Sequence, residues 1–211
     1  MKTMSQARIN GLYAITPGIT DTHRLITMVD AALTGGINIL QYRNKSPDKS
    51  LRLQQAIALL ALCRAHDVPL IINDDVELAL AIGADGVHLG ASDDNLVAAR
   101  QKLGNRFLIG ASCYEQLALA QQAVTQGADY VAFGSMFASS TKPAAVKASL
   151  TVLSDAKTAL GCPVVAIGGI CLDNIQQIAA TGADAAAIIS DLFDADSISR
   201  QAQKLRQAFS F

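Results

Sequence analysis

One phrase recurs along this chain and limits what it can fold into. Gly83-Ala84-Asp85-Gly86-Val87, Gly127-Ala128-Asp129-Tyr130-Val131 and Gly182-Ala183-Asp184-Ala185-Ala186 share a pattern, and Gly35-Gly36-Ile37-Asn38-Ile39 is a looser copy. A helix-like segment precedes each copy and a short apolar run follows it. Gly suits the residue just past a helix end. The apolar run then reads as a strand buried in a parallel sheet. The phrase is therefore a helix-to-strand joint, used repeatedly.

Eight strand segments emerge along the chain: Leu12–Thr16, Ile37–Arg43, Leu70–Asn73, Gly86–Leu89, Phe107–Ala111, Tyr130–Gly134, Val164–Ile167 and Ala185–Ile189. Amphipathic segments separate them. In the second, Leu53, Ile57, Leu60 and Arg64 recur at helical spacing, with Ser46 as N-cap and Pro47 at the first helical position. Eight alternations in 211 residues predict an α/β chain folded as a (β/α)8 TIM barrel, with residues 1–211 as one domain. A doubly wound open sheet is the rival. It needs a Gly-rich turn after the first strand, where this chain has only Thr16-Pro17-Gly18.

Composition narrows the function. Hydrophobic residues make up 51% of the chain, enough for a sizeable core, and the net charge is −1. A near-neutral chain offers no broad surface for nucleic acid or membrane, so any anion site must be local. Met1 to Arg8 has no apolar core of a signal peptide, and the longest apolar run, Ala56 to Cys63, is far too short to span a bilayer. Cys63, Cys113, Cys162 and Cys171 lack paired metal spacing and adjoin apolar segments. They read as reduced packing residues, and the expected location is cytoplasmic.

In such a barrel, chemistry sits on the loops after the strand C-termini. After the second strand come Gln41, Arg43 and Lys45, expected on one face because strand side chains alternate. Arg grips phosphate oxygens in a planar fork and Lys adds a point charge, although a solvated strand end would look the same. After the third and fourth strands come Asn73-Asp74 and, beyond Gly90, Asp93. Two carboxylates on adjacent loops suit Mg²⁺ shared with a substrate phosphate. Equally, Asp74 with Glu77 has capping-box spacing, and Ser92 or Asp93 could cap the fourth helix. The fifth strand ends at Gly110-Ala111-Ser112. The sixth opens into a loop bearing Ser139-Ser140-Thr141-Lys142, which could close over a ligand or be an ordinary surface loop. Gly168-Gly169 precedes a helix start, and Ile189-Ser190 follows the last strand. The loops after strands seven and eight are where many barrels hold a phosphate.

Several chemistries are missing. No nucleophile elbow or Ser-His-Asp order is visible. His23 and His66 fall in helical stretches. His88 lies at a strand end without a His or Cys nearby, and reads as a packed, hydrogen-bonded histidine. Strands six and seven carry no Lys for a Schiff base.

Taken in order, Gln41-x-Arg43-x-Lys45, Asn73-Asp74, His88-Leu89-Gly90 with Asp93, Ser139-x-Thr141-Lys142 and Gly168-Gly169-Ile170 resemble the thiamine phosphate synthase family. The likeness runs from Gly11 to Ser190. It implies coupling of 4-amino-2-methyl-5-hydroxymethylpyrimidine diphosphate to a thiazole phosphate, giving thiamine phosphate and pyrophosphate, with Mg²⁺ as cofactor. By carry-over Gln41 meets the pyrimidine, and Arg43, Lys45, Asn73 and Lys142 hold the diphosphate side. Asp74 and Asp93 bind Mg²⁺, and Ser112 lies near the reacting carbon. Ser139, Ser140, Thr141, Gly168, Gly169, Ile189 and Ser190 surround the thiazole phosphate. The chain departs from the family pattern in having Ser139 where Thr is frequent, and in lacking Pro within Ser135-Met136-Phe137-Ala138. The partners expected are small molecules, not nucleic acid or membrane, and the oligomeric state is not written in the residues. Two rivals stand beside this expectation: a thiazole tautomerase-like paralogue on the same barrel, and a non-catalytic thiamine-phosphate binding protein.

Overall fold

Eight parallel strands close into a barrel in chain order: β1 Gly11–Ile15, β2 Ile39–Tyr42, β3 Leu70–Asn73, β4 Gly86–Gly90, β5 Leu108–Tyr114, β6 Tyr130–Phe133, β7 Val164–Ile167 and β8 Ala185–Ile188. β8 pairs back onto β1, with Leu12 opposite Ala186. The structure is a computed structural model, described for residues 9–90, 93–138 and 148–209, with the side chains of 93–95 outside the described set. Helices α1 Thr22–Thr34, α2 Lys49–Ala65, α3 Val76–Ile82, α4 Asp93–Leu103, α5 Leu117–Thr125, α6 Thr151–Ala159 and α7 Ile175–Ala179 alternate with the strands. A short α8 Ser190–Phe193 and α9 Ile198–Phe209 follow β8. This is the (β/α)8 barrel that the alternation predicts.

The repeated joint has a structural job. Asp184 lies just before β8. Its N–H donates to the Val164 carbonyl at 2.8 Å, and its carboxylate accepts from the Val164 N–H at 2.7 Å. The same reciprocal pair links Asp129 to Ile109, Asp85 to Leu70 and Asn38 to Leu12, with side-chain bonds of 2.8, 2.9 and 2.9 Å. Each even strand thus clasps the first rungs of the odd strand before it. Strand-end N–H groups at the barrel floor would otherwise lack an acceptor, which costs about 1–3 kcal/mol each when buried.

Alternation along the strands divides the core in two. Leu12, Leu40, Ile72, Val87 and Val131 face outward and belong to the layer under the helices. Tyr13, Ile39, Ile71, Leu108, Tyr130 and Val165 point into the barrel. Both faces are buried, as expected for parallel strands flanked by helices. Gly110 faces inward opposite Tyr130 across β5 and β6, and a Cβ there would collide with the Tyr130 phenol.

Three local expectations are corrected. Asp48, not Ser46, caps α2, accepting from the N–H groups of Ser50 at 2.9 Å and Leu51 at 3.1 Å, so Pro47 precedes the helix. The buried stripe of α2 is Gln55, Ala56, Leu59, Leu60 and Cys63, while Leu53 and Ile57 are 41% and 52% exposed. A polar residue at the centre disguised it: Gln55 is fully buried because it accepts from Tyr42 Oη at 2.8 Å and donates to the Ile19 carbonyl at 3.0 Å. Finally, β5 continues to Tyr114 through an irregular register after Ser112, so Ser112 belongs to the strand. The cysteines are free, with Cys63, Cys113 and Cys162 buried.

Candidate active site

The strand C-termini open onto a cavity of about 930 Å³. Of the residues expected at the site, Gln41, Arg43, Asn73, Ser112, Gly168, Gly169, Ile189 and Ser190 all line it. They come from the ends of β2, β3, β5, β7 and β8, which the closed barrel brings to one mouth.

Arg43 is held by its own strand end. Its N–H donates to Thr16 Oγ1 at 2.9 Å, and that buried hydroxyl donates back to the Arg43 carbonyl at 3.3 Å. Lys45 departs from the expected face. β2 ends at Tyr42, so the alternation that carries Gln41 and Arg43 inward lapses, and Lys45 is exposed and outside the cavity lining. Asn44 draws the chain back toward α2, donating to Gln55 Oε1 at 2.8 Å.

Gln41 and Ser112 are joined by residues that the sequence had left in the core. Gln41 Nε2 donates to Tyr13 Oη at 3.0 Å, and Tyr13 Oη is 2.9 Å from Tyr130 Oη. Tyr130 Oη is 3.1 Å from His88 Nδ1, and His88 Nε2 is 2.9 Å from Ser112 Oγ. Burial pushes Tyr13 up to about 12 and raises Tyr130 well above its ordinary value. It pushes His88 down to about 4, so the imidazole is neutral at neutral pH. The expectation of a packed, hydrogen-bonded His88 holds. Its link to Ser112 needs the register that sets His88 beside Gly110, and is invisible in spacing alone.

The alternative roles of Asp74 can now be separated. Asp75 caps α3, accepting from the Leu78 N–H at 2.9 Å, so Asp74 is not the helix cap. Asp74 is exposed, adopts a left-handed φ of 61°, and accepts from Asn73 Nδ2 at 2.7 Å. It is a hard oxygen donor free of capping duty, and fits a cation that binds one or two carboxylates plus phosphate oxygens. It does not line the cavity itself. Asp93 opens α4, and its side chain lies outside the described residues. Among the described residues no cluster of three or more His, Cys, Asp or Glu is placed to hold a metal.

Just after β7, Gly168 and Gly169 have φ of 102° and 63°, which only glycine adopts without strain. A Cβ at Gly168 would collide with Ser135, and one at Gly169 with the backbone of Phe137 and Ala138. The backbone after β7 is therefore packed closely against residues 135–138, and Gly168 and Gly169 also line the cavity. Ser139, Ser140, Thr141 and Lys142 lie outside the described residues.

The chain matches the family model described as thiamine monophosphate synthase over residues 12–192. It belongs to that family. The matched span contains every expected site residue, from Gln41 to Ser190. The chain is 54% identical over 202 residues to the thiamine-phosphate synthase of Methylobacillus flagellatus, covering 96% of each. It is 52% identical to that of Chromobacterium violaceum, covering 94% of this chain and 95% of the relative. Among solved structures, thiamine phosphate pyrophosphorylase from Pyrococcus furiosus superposes with a TM-score of 0.86 at 32% identity, over 97% of this chain and 96% of the other. No helix among the described residues is long and apolar enough to cross a membrane.

Proposed function

We propose that the protein joins 4-amino-2-methyl-5-hydroxymethylpyrimidine diphosphate to a thiazole phosphate, forming thiamine phosphate and releasing pyrophosphate. The observation that carries this reading is one cavity with two unlike walls. Gln41, Arg43, Asn73 and Ser112, from the ends of β2, β3 and β5, give it polar side chains, and Gly168-Gly169 with Ile189-Ser190, from the ends of β7 and β8, give it a second lining rich in backbone. The first wall suits a diphosphate attached to a polar heterocycle, and the second a monophosphate.

The carbon–oxygen bond between the pyrimidine methylene and the diphosphate breaks, and its electron pair leaves with pyrophosphate. The aminopyrimidine spreads the resulting positive charge. The thiazole nitrogen then gives its lone pair to form the carbon–nitrogen bond. No protein nucleophile is needed, so the side chains orient and neutralise. Arg43 grips the departing oxygens, Asn73 and Ser112 donate to them, and Gln41 fixes the ring. Lys45, exposed two residues beyond Arg43, and Lys142 add positive charge. Asp74 with Asp93 would hold Mg²⁺, which when bound neutralises diphosphate charge.

Supporting this over a thiazole isomerase is the Arg43–Asn73 wall, which an isomerase of a monophosphate does not require. A binding protein without turnover would keep the same walls. Purified protein with both substrates, with and without Mg²⁺, decides: Mg²⁺-dependent release of pyrophosphate supports coupling. Thiazole isomerisation alone, or binding without product, would overturn it.

A further inference from the structure

The chain from Gln41 to Ser112 spans the barrel interior through two fully buried phenols, Tyr13 at 1% exposure and Tyr130 at 0%. Such polar groups in an apolar core are costly unless each proton has an acceptor. Tyr13 Oη accepts from Gln41, so its own proton must go to Tyr130. Tyr130 Oη then has His88 Nδ1 as its acceptor. A neutral imidazole that accepts at Nδ1 carries its proton on Nε2, and Nε2 faces Ser112 Oγ. The Ser112 hydroxyl proton is left to point into the cavity. Reversing any one link would set two protons or two lone pairs against each other, so the chain reverses only as a unit. Space is made for it, since Gly110 leaves the gap that the Tyr130 phenol fills.

We propose that Gln41, Tyr13, Tyr130, His88 and Ser112 form one directional hydrogen-bond relay. In it Tyr13, Tyr130 and His88 are positioning residues that fix Ser112 as a donor and the Gln41 carbonyl as an acceptor at the cavity. This inference rests on the proposed function for what lies at each end. A ligand with an amino group beside Gln41 and an anion beside Ser112 matches this polarity at both ends. The opposite polarity would set lone pairs of Ser112 against the anion. The relay thereby couples recognition of the pyrimidine amino group to stabilisation of the leaving diphosphate, two ends of one substrate.

The test uses protein labelled with ¹⁵N-histidine. His23→Gln and His66→Gln together leave His88 as its one imidazole, since the chain has three histidines. Nitrogen NMR of the free protein should show Nε2 protonated and Nδ1 bare. In Tyr130→Phe the signals should shift toward a mixture of tautomers. Turnover should fall about tenfold, the worth of one hydrogen bond, with KM for the thiazole phosphate unchanged. If Tyr130→Phe fails to fold, Tyr13→Phe makes the same test one link further away. An Nδ1-protonated His88 in the unsubstituted protein overturns the relay. So does an unaltered tautomer with normal turnover in the phenylalanine variants. Protein that carries the Nε2 proton but couples no substrates supports the relay and overturns only the functional reading.

Discussion

His88 Nε2 lies 2.9 Å from Ser112 Oγ. Ser112 sits within β5, and α5 begins five residues later behind Gln116, which makes no side-chain cap bond. The hydroxyl is therefore held by the barrel interior and has no part in starting a helix. Ser112→Ala should lower turnover about a hundredfold, the cost of roughly 3 kcal/mol of lost transition-state hydrogen bonding. Both substrates should still bind, and the melting temperature should stay within a few degrees. A large drop in melting temperature with near-normal turnover would remove Ser112 from the chemistry.

Asp74 and Asp75 should respond differently to the same kind of substitution. Asp75→Ala removes the α3 cap and should cost about 1 kcal/mol in a denaturant melt, leaving Mg²⁺ dependence alone. Asp74→Asn should leave stability unchanged and raise the Mg²⁺ concentration needed for half-maximal turnover. Normal turnover of Asp74→Asn at low Mg²⁺ would dismiss Asp74 as a ligand.

Arg43→Lys keeps the charge but loses the planar fork. Titration calorimetry with each substrate alone should show weaker pyrimidine diphosphate binding and unchanged thiazole phosphate binding. Equal weakening of both would mean that the two walls of the cavity are misassigned.

Alkali should unfold the protein through its buried phenols. Burial pushes Tyr13 up to about 12 from 10.0 and raises Tyr130 and Tyr42 as well. Between pH 10 and 12 the unfolded chain sheds a Tyr13 proton that the folded chain keeps. Stability is therefore full below pH 10 and falls as pH rises, by about 3 kcal/mol for Tyr13 alone. Phenolate absorbance for Tyr13 and Tyr130 should appear together with loss of helix. In Tyr13→Phe the decline should be shallower.

Asp184→Ala removes the acceptor of the Val164 N–H and the ion pair with Lys157 at 2.7 Å. The expected loss is about 1–3 kcal/mol. Asp184→Asn keeps a side-chain acceptor and should cost about 1 kcal/mol or less. Both variants should retain normal kcat, because this clasp lies at the floor and the cavity at the mouth.

The barrel was legible because the Gly-Ala-Asp joints mark the entries of β4, β6 and β8, with a looser copy before β2, and all eight strands fall within a few residues of their expected places. Gln41 and Arg43 were legible because a strand alternates. Lys45 was not, because alternation ends with the strand at Tyr42. The α2 stripe was misread because Gln55, a polar residue, holds its centre through hydrogen bonds that apolar periodicity does not register. Ser46 was misplaced as a cap because Asp48 competes two residues away, and the capping alternative for Asp74 falls to the adjacent Asp75; only backbone geometry selects between such neighbours. Tyr13, Tyr130 and His88 were missed as a group since they are 42 to 117 residues apart. Their meeting depends on barrel closure.

The four floor clasps span only 15 to 26 residues of chain each. Each joins an odd strand to the next even one, within a single strand–helix–strand passage. Short loops close at little entropic cost, and local contacts form fast. Folding can thus proceed as four quarter-turns that fasten separately before any of them meet. The relay across the mouth would come last, assembled only when the ring shuts, so that the chemistry waits on a scaffold already made.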